Sequence, residues 1–483
     1  MKRSRIGVIG LAVMGENLVL NIESKGFRVS AFARRNEVVE AFLNGRAKGK
    51  AIFGTSSLPE FVDSLEKPRK VMLMIKAGKP VDDVIDQLIP LLEEGDIIID
   101  GGNSHYADSA RRTAYVESKG LLYVGTGVSG GEEGALRGPS IMPGGSKKAW
   151  PEVKPIFQAI AARTADGAIC ADWIGRGGAG HFVKMVHNGI EYGDIQLIAE
   201  TYHLMRDILN LTPDEMHEIF KAWNRTELDS YLIEITKDIM ATKDQDGSPL
   251  IDRILDTAGQ KGTGKWTAIA SIDEDVPLTL ITEAVYARFL SAMKEERKVA
   301  SRAFKPRPVV FDGDREAFLE DMRKALYAAK IISYAQGFAL MKAASDRHDW
   351  DLDYGAIAML WRAGCIIRSA FLDRINQAYD LDPELGNLML DPYFKNTLEA
   401  LLPSWRNVLA EAIRNGIPVP SMSAALAYFD GYRTERLPAN LLQAQRDYFG
   451  AHMYERVDAP RGEFFHTNWT GRGGDTSSTT YKG

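Results

Sequence analysis

Four polar residues in the middle of the chain have a spacing that would place them on one face of a helix. His187, Asn188 and Glu191 follow Lys184 by three, four and seven residues, the steps that bring helical side chains together. A lysine whose pKa is lowered by burial or by a neighbouring cation can take the proton of an alcohol, and a nearby carboxylic acid can return one. The residue types therefore predict proton transfer during the oxidation of an alcohol. The alternative is a solvated face whose charges do no chemistry.

Two glycines, Gly178 and Gly180, come just before this helix. Because glycine has no side chain, we expect these positions to leave the start of the helix accessible to a ligand. An alcohol oxidised in this way also gives up a hydride, so the reaction needs an acceptor as well as a base.

A site for such an acceptor is predicted near the N-terminus. Residues 6–9 form a short apolar strand, a helix is expected over residues 17–24, and a second strand over residues 28–32. The turn after the first strand is the G-x-A-x-x-G variant of the dinucleotide-binding fingerprint, in the strand–turn–helix context that the fingerprint requires. It consists of Gly10, Leu11, Ala12, Val13, Met14 and Gly15. The alternative is an ordinary tight turn between a strand and a helix.

The end of the second predicted strand indicates which dinucleotide binds. NAD sites place an acidic residue there, which binds the ribose 2′-hydroxyl. This chain has Ala33, Arg34 and Arg35 instead. Guanidinium groups pair well with phosphate oxygens, so the segment favours the 2′-phosphate of NADP. The alternative is that both arginines are only solvated.

Three more strands are predicted in this region, over residues 70–76, 96–100 and 121–124. Each ends in a loop of small residues, and such loops line the ligand cleft of open α/β sheets. The first strand ends in the residues Ile75, Lys76, Ala77 and Gly78. The second is followed by Gly101, Gly102, Asn103 and Ser104, and the third by Gly125 to Gly131, with Ser129 and Gly130.

Beyond Gly177 the sequence changes from alternating strands and helices to long helical segments. We predict an α/β Rossmann-type domain over residues 1–177, a large all-α domain over 178–433, and a C-terminal tail over 434–483 that contacts a partner subunit. The all-α domain contains an internal duplication, because features recur in order about 140 residues later. The recurring features are Tyr192 and Tyr334, Trp223 and Trp361, and Val276-Pro277 and Ile417-Pro418.

The composition limits the class of protein. A net charge of −6 gives no indication of a nucleic-acid or membrane partner. Two cysteines, Cys170 and Cys365, are too few for a disulfide framework and suit a reducing compartment. No stretch reaches the roughly 18 apolar residues of a membrane span, and the basic start lacks the cleavage site of a signal peptide. We therefore expect a cytoplasmic protein. No set of residues has the spacing of a metal site.

The chain closely resembles the long form of the 6-phosphogluconate dehydrogenase family. The matching segments are residues 10–15, 100–104, 127–135, 180–192, 259–267 and 445–452, and together they span almost the whole chain. The family oxidises and decarboxylates a phosphorylated sugar acid with NADP in the pentose phosphate pathway and needs no metal. It usually has Asn-Arg-Thr at positions 33–35, and this chain keeps only the arginine, Arg34.

The resemblance implies a role for each site residue. Lys184 would be the base for the substrate 3-hydroxyl, and Glu191 would protonate C1 of the enediol that is left when CO2 departs. The sugar acid would be held by Asn103, Ser129, Gly130, Gly131, His187 and Asn188, and its phosphate by Tyr192, Lys261, Arg288, Arg446 and His452. In the family the last two come from the partner's tail, which implies a homodimer.

Two other functions remain open on the sequence alone. Shorter β-hydroxyacid dehydrogenases share the glycine turn, the Ser-Gly-Gly loop and the lysine, but they lack the second helical copy and the tail. A non-catalytic NADP-binding protein is the other alternative, although this chain keeps both Lys184 and Glu191.

Overall fold

The computed structural model describes residues 3–305, 308–473 and 477–478. The chain divides into two compact units, Met1–Leu426 and Ala427–Gly483. Residues 474–476 and 479–483 of the predicted tail lie outside the described residues. Within the described part of the chain, no helix is both long and apolar enough to cross a membrane.

The first unit begins with an eight-stranded sheet that is parallel except at one pair. The strands are β1 (Ile6–Ile9), β2 (Val29–Phe32), β3 (Ile52–Thr55), β4 (Lys70–Leu73), β5 (Ile97–Asp100), β6 (Leu122–Val128), β7 (Ile141–Gly145) and β8 (Gly175–Arg176). Their order is β3-β2-β1-β4-β5-β6-β7-β8, and only β7 runs antiparallel to its neighbour β6. The strand order reverses between β1 and β4, which is where open α/β sheets bind ligands.

Both faces of this sheet are buried, as a parallel sheet requires. Ile97 and Ile99 belong to the hydrophobic core on one face, and Ile98 between them belongs to the core on the other. The covering helices are α1 (Val13–Ser24), α2 (Asn36–Asn44), α3 (Leu58–Asp63), α4 (Lys79–Leu88), α5 (Tyr106–Glu117), α6 (Gly131–Arg137) and α7 (Trp150–Ile160). The predicted Rossmann-type fold is confirmed.

Three predicted element boundaries were wrong. Helix α1 begins at Val13 rather than at residue 17, so the second half of the glycine turn forms its first helical turn. Strand β4 ends at Leu73 instead of residue 76. Strand β6 continues through the glycines at 125 and 127, which we had assigned to a loop, because β7 pairs with that segment from Val124↔Gly145 to Val128↔Ile141.

The rest of the first unit is helical, as predicted. Its helices are α8 (Ala179–Asp207), α9 (Pro213–Trp223), α10 (Tyr231–Ala241), α11 (Thr263–Asp273), α12 (Thr279–Ala292), α13 (Lys294–Ala303), α14 (Arg315–His348), α15 (Tyr354–Leu360), α16 (Leu372–Leu381) and α17 (Pro392–Asn415). A further helix, α18 (Pro420–Tyr432), begins in this unit and ends in the second. Each of the two long helices, α8 and α14, is followed by shorter ones, α9 to α13 in the first case and α15 to α18 in the second. The two long helices pack together, and Lys330 of α14 forms a buried ion pair with Asp194 of α8 at 2.5 Å.

The second unit contains α19 (Ala439–Gly450) and a small hairpin of β9 (Tyr454–Glu455) and β10 (Phe464–Phe465). Its centre is the fully buried Asp447. This carboxylate accepts hydrogen bonds from the Met453 and Thr467 amides, from the His466 ring and from the Trp469 indole, at 2.8 to 3.0 Å. One side chain therefore connects the helix to both ends of the hairpin.

Candidate active site

Helix α8 lies directly against the sheet because glycines remove side chains at the contact. A Cβ at Gly180 would come within 2.5 Å of the Gly125 and Met142 carbonyl oxygens, and a Cβ at Gly178 within 2.3 Å of the Tyr106 carbonyl oxygen. Our interpretation of these two glycines as an opening for a ligand was therefore wrong, since protein backbone occupies that space. Their effect is to let the start of the helix pack closely against β6, β7 and the beginning of α5.

The polar face of α8 forms one hydrogen-bonded cluster with the loop after β6. The Lys184 amine donates to Asn188 Oδ1 at 2.6 Å and lies 3.2 Å from His187 Nδ1. The other ring nitrogen, His187 Nε2, is 3.2 Å from the Ser129 hydroxyl. An imidazole that carries its proton on Nδ1 donates to Asn188 Oδ1 at 3.1 Å and accepts from Ser129.

This face is buried, so the alternative of a solvated helix surface does not apply. Lys184 is 6% exposed and His187 is fully buried. Burial lowers the pKa of Lys184, and the negative charge of Glu191 opposes that shift. Burial raises the pKa of Glu191, against the opposing effects of Lys184 and Arg288. Both shifts favour the neutral forms, an amine that can accept a proton and an acid that can give one.

The reactive side chains line a cavity of about 630 Å³. It brings together both predicted catalytic residues and most of the predicted substrate-binding residues. These are Lys184, Glu191, Asn103, Ser129, Gly130, Gly131, Asn188, Tyr192, Lys261 and Arg288. His187 lies behind this surface and contacts the cavity only through its hydrogen-bonded neighbours.

One end of this cavity is cationic. The Arg288 guanidinium lies 3.5 Å from the centroid of the Tyr192 ring, and its Nη1 donates to the Gly259 carbonyl at 3.2 Å. Lys261 is exposed beside it. A stacked guanidinium and an ammonium group suit a phosphate, so this end can bind the phosphorylated end of a substrate.

A second cavity, of about 540 Å³, lies over the glycine turn. Its lining residues are Gly10, Leu11, Ala12, Val13, Met14, Gly15, Met74, Ile75, Lys76, Gly101, Gly102, Asn103 and Val128. Three of them, Met14, Asn103 and Val128, also line the cavity that contains Lys184. The two cavities therefore meet at these side chains, where a cofactor and a substrate would come into contact.

A third cavity, of about 320 Å³, continues from Gly10 to the end of β2. Ala33 and Arg34 line it, together with apolar side chains such as Phe32 and Ile75. Arg34 and Arg35 are both exposed. Arg35 and Ala77, which we had included among the cofactor contacts, are not among the residues that line these cavities.

Two family models match the chain and together cover nearly all of it. Residues 5–175 match the NAD binding domain of 6-phosphogluconate dehydrogenase, and residues 180–469 match the 6-phosphogluconate dehydrogenase C-terminal domain. The chain belongs to the 6-phosphogluconate dehydrogenase family. The predicted family is thus confirmed over both the sheet and the helical domain.

Proteins with the name of this family are similar to the chain over almost its full length. A 6-phosphogluconate dehydrogenase, decarboxylating, of Haemophilus ducreyi is 60% identical over 476 residues, which are 99% of this chain and 98% of the relative. A human protein of that name is 57% identical over 482 residues and the whole of both chains. A solved Plasmodium falciparum 6-phosphogluconate dehydrogenase, described with its cofactor NADP+ and its substrate 6-phosphogluconate, has a TM-score of 0.93 at 45% identity. It covers 96% of this chain and is itself covered completely.

The sequence did not identify every residue of the substrate cavity. Gln260 and Thr263 also line it, and both belong to the segment 259–267 that contains Lys261. Ile366 lines it from the loop between α15 and α16, in the second helical copy. No spacing or motif connects Ile366 to the site, because only the folding of the second copy onto the first brings it there.

Arg446 and His452 lie in the second unit, at the end of α19 and in the turn after it. Arg446 donates to Gln443 at 3.2 Å, and His452 Nδ1 is 3.2 Å from the Ser478 hydroxyl. The Met453 amide and the Thr467 amide, which follows the hairpin, both donate to the Asp447 carboxylate and so fix this turn on the helix. Arg446 and His452, both predicted to bind the substrate phosphate, thus lie on one short segment that is held by several hydrogen bonds.

Among the described residues, no group of three or more His, Cys, Asp or Glu side chains could hold a metal ion.

Proposed function

We propose that this chain oxidises and decarboxylates 6-phosphogluconate to ribulose 5-phosphate and CO2 with NADP. The observation that carries this proposal is the meeting of the two cavities at Met14, Asn103 and Val128, with the buried Lys184 on the substrate side. The full-length similarity to decarboxylating dehydrogenases supports it.

Lys184 acts first, as the general base. Burial lowers the pKa of its amine and so favours the neutral form, which can accept the proton of the substrate 3-hydroxyl while C3 is oxidised to a ketone. Asn188 holds the amine in place through Oδ1, His187 holds Asn188 through Nδ1, and Ser129 holds His187 through Nε2. Bound NADP supplies the acceptor for the hydride that leaves C3.

Decarboxylation follows from the product of that oxidation. The ketone at C3 lies β to the carboxylate, so loss of CO2 leaves its electron pair in an enediol. Lys184, which now carries a proton, stabilises the negative charge that develops on the C3 oxygen. Glu191, whose pKa is raised by burial, then protonates the carbon that becomes C1 of ribulose 5-phosphate.

The residues present fit NADP. The first turn of α1 has no side-chain cap, so its free amides can bind the pyrophosphate. A Cβ at Gly10 would come within 2.4 Å of the Met74 carbonyl oxygen, so the turn requires glycine there to lie close against β4. Arg34 borders the neighbouring cavity and can bind the 2′-phosphate.

A substrate comparison tests the proposed reaction against its nearest rival. Purified protein should reduce NADP with 6-phosphogluconate and not with 3-hydroxyisobutyrate or glycerate, the alcohols that the shorter dehydrogenases oxidise, since neither carries a phosphate for the cationic end near Arg288. The absorbance of NADPH measures this directly. An inactive protein would favour the non-catalytic alternative, and activity with the small hydroxy acids would favour the shorter dehydrogenases.

Arg34 should determine the preference for NADP over NAD. We expect Arg34→Ala to lower the catalytic efficiency with NADP by about 10-fold to 100-fold, the effect of losing charged hydrogen bonds to a phosphate. The efficiency with NAD should change little. Arg35→Ala is the matched control, because Arg35 is equally exposed but is not among the residues that line the cavity. A wild-type preference for NAD, or equal effects of the two variants, would contradict this role.

We further propose that the chain acts as a homodimer in which the second unit of one subunit completes the site of the other. The second unit exposes large apolar side chains, among them Phe449 at 73% and Val457 at 94%. Exposed apolar surface of this kind supports a subunit interface. Arg446 and His452 would add to the cationic end formed by Lys261 and Arg288.

Mixed dimers test this shared site. Neither Lys184→Met nor Arg446→Met protein should be active at low substrate concentration, but random exchange of their subunits should restore about one quarter of wild-type activity. Each mixed dimer then has one site with both side chains intact. Lys184→Met mixed with Arg288→Met is the control, because those two side chains line the same cavity and no intact site can form. Absence of recovery in the first mixture would place each tail at its own subunit's site.

The cytoplasm and the pentose phosphate pathway are the setting we propose for this reaction. Both cysteines are free and buried, which suits a reducing compartment. The products, NADPH and a pentose phosphate, are those of an oxidative step in that pathway.

A further inference from the structure

A fully buried arginine lies beneath the cofactor cavity without being one of its lining residues. Arg112 belongs to α5 and has no exposed surface. It faces the loops that follow two adjacent strands, residues 74–78 after β4 and residues 101–105 after β5. Each of these loops contributes lining residues to the 540 Å³ cavity, including Lys76 from the first and Asn103 from the second.

Arg112 binds the first loop and the helix that follows it. Its Nη2 donates to the Gly78 carbonyl at 3.0 Å. Its Nε and Nη2 also donate to the two carboxylate oxygens of Asp82, at 2.8 and 3.2 Å. Such a two-point contact fixes orientation as well as position, so the end of this loop is held against α5.

The remaining nitrogen of Arg112 binds the second loop. Nη1 donates to the Ser104 hydroxyl at 3.3 Å and to Asp100 Oδ2 at 3.4 Å. Asp100 in turn accepts from the Gly102 amide at 3.1 Å and from Ser104 at 2.6 Å. The residues on both sides of Asn103 are therefore tied to Asp100.

We propose that Arg112 is a positioning residue for cofactor binding, which sets the distance between the Lys76 loop and the Asn103 loop. A lysine could not replace it, because one ammonium group cannot present the fork to Asp82 and still reach Ser104. The proposal rests on the proposed function only in that NADP is the ligand of this cavity. Its direct readout is binding of NADP without substrate, so it can fail while the proposed reaction stands.

The chain contains a matched control at the opposite end of the same strands. Arg69 precedes β4 and pairs with Asp96, which precedes β5, and both are buried. The pair is held by Arg69 Nη1 at 2.8 Å and by the Arg69 amide at 2.6 Å. Loss of either arginine removes a buried ion pair at one end of β5, with Asp96 in the case of Arg69 and with Asp100 in the case of Arg112, but only Arg112 acts at the cofactor end.

The test compares NADP binding to folded Arg112→Met, Arg112→Lys and Arg69→Met proteins by titration calorimetry. We expect the Kd for NADP to rise about 10-fold or more in both Arg112 variants and less than about 3-fold in Arg69→Met. The KM for 6-phosphogluconate at saturating NADP should stay within about 3-fold of wild type in Arg69→Met.

Equal Kd values in the Arg112 and Arg69 variants would overturn the proposal, as would full rescue by lysine. If Arg112→Met does not fold, Ser104→Ala replaces it, because this change removes only the hydroxyl between Arg112 and Asp100. The Kd for NADP should then rise about 3-fold or more, and an unchanged Kd would equally overturn the proposal.

Discussion

Replacing Lys184 with methionine will leave a protein that binds NADP but turns over 6-phosphogluconate about 1,000-fold more slowly or worse, within the range attributed to a lost general base. Methionine nearly fills the volume of the buried side chain, so the helix should keep its packing against the sheet. What it removes is the amine that donates to Asn188 and accepts the proton of the 3-hydroxyl. Steady-state kcat and the Kd for NADP measure the two effects separately.

Lys70 provides the control for this substitution. It is also a buried lysine of the first unit, but it starts β4 and pairs with Glu152 at 3.1 Å, away from the residues that line the cavities. Lys70→Met should lower thermal stability and leave kcat within about 3-fold of wild type. Normal turnover by Lys184→Met would remove Lys184 from the role of base.

Replacing Glu191 with glutamine will lower kcat by about 100-fold or more, because the amide cannot protonate the enediol. It should also change the pH profile. In the wild type, Lys184 must be unprotonated and Glu191 protonated, so activity rises and then falls as the pair loses its two protons in turn. Without a proton to lose at position 191, the variant should keep the rise at low pH and lose the fall at high pH.

A solvent-label experiment separates this role from a structural one. In D2O each ribulose 5-phosphate gains one deuterium at C1. The wild type should place it at one of the two positions, whereas in Glu191→Gln it should be divided between both. The control is Glu200→Gln, since Glu200 is a buried carboxylate on the same helix that accepts from the Ser421 and Met422 amides instead of lining the cavity. Stereospecific labelling by Glu191→Gln would show that another group delivers the proton.

The parts of the site that depend on local sequence could be predicted well. The Gly10 turn and the face from Lys184 to Glu191 are each set by spacing within one element, and the structure has both as expected. The strand ends were less certain, since glycines at 125 and 127 suggest a loop when they are read alone. They belong to β6 because that segment pairs with β7. Gly127 also makes room for the packed helix, since a Cβ there would lie only 2.4 Å from the Lys184 Cβ.

What depends on the tertiary fold could not be predicted. Ile366 comes to the substrate cavity from the second copy, 182 positions along the chain from Lys184, which lines the same cavity. Arg112 resembles any surface arginine in the sequence, and only its burial between two loops distinguishes it. The antiparallel strand β7 was missed because its Pro-Gly-Gly end has low strand propensity, and pairing with β6 overrides that preference.

If one site both oxidises and decarboxylates the substrate, CO2 and NADPH must form together. This is measured by supplying 6-phosphogluconate labelled at its carboxyl carbon and following labelled CO2 and NADPH in a single reaction without added metal. We expect one labelled CO2 for each NADPH, with ribulose 5-phosphate as the other product. NADPH formed without labelled CO2, or accumulation of the β-keto acid, would contradict it.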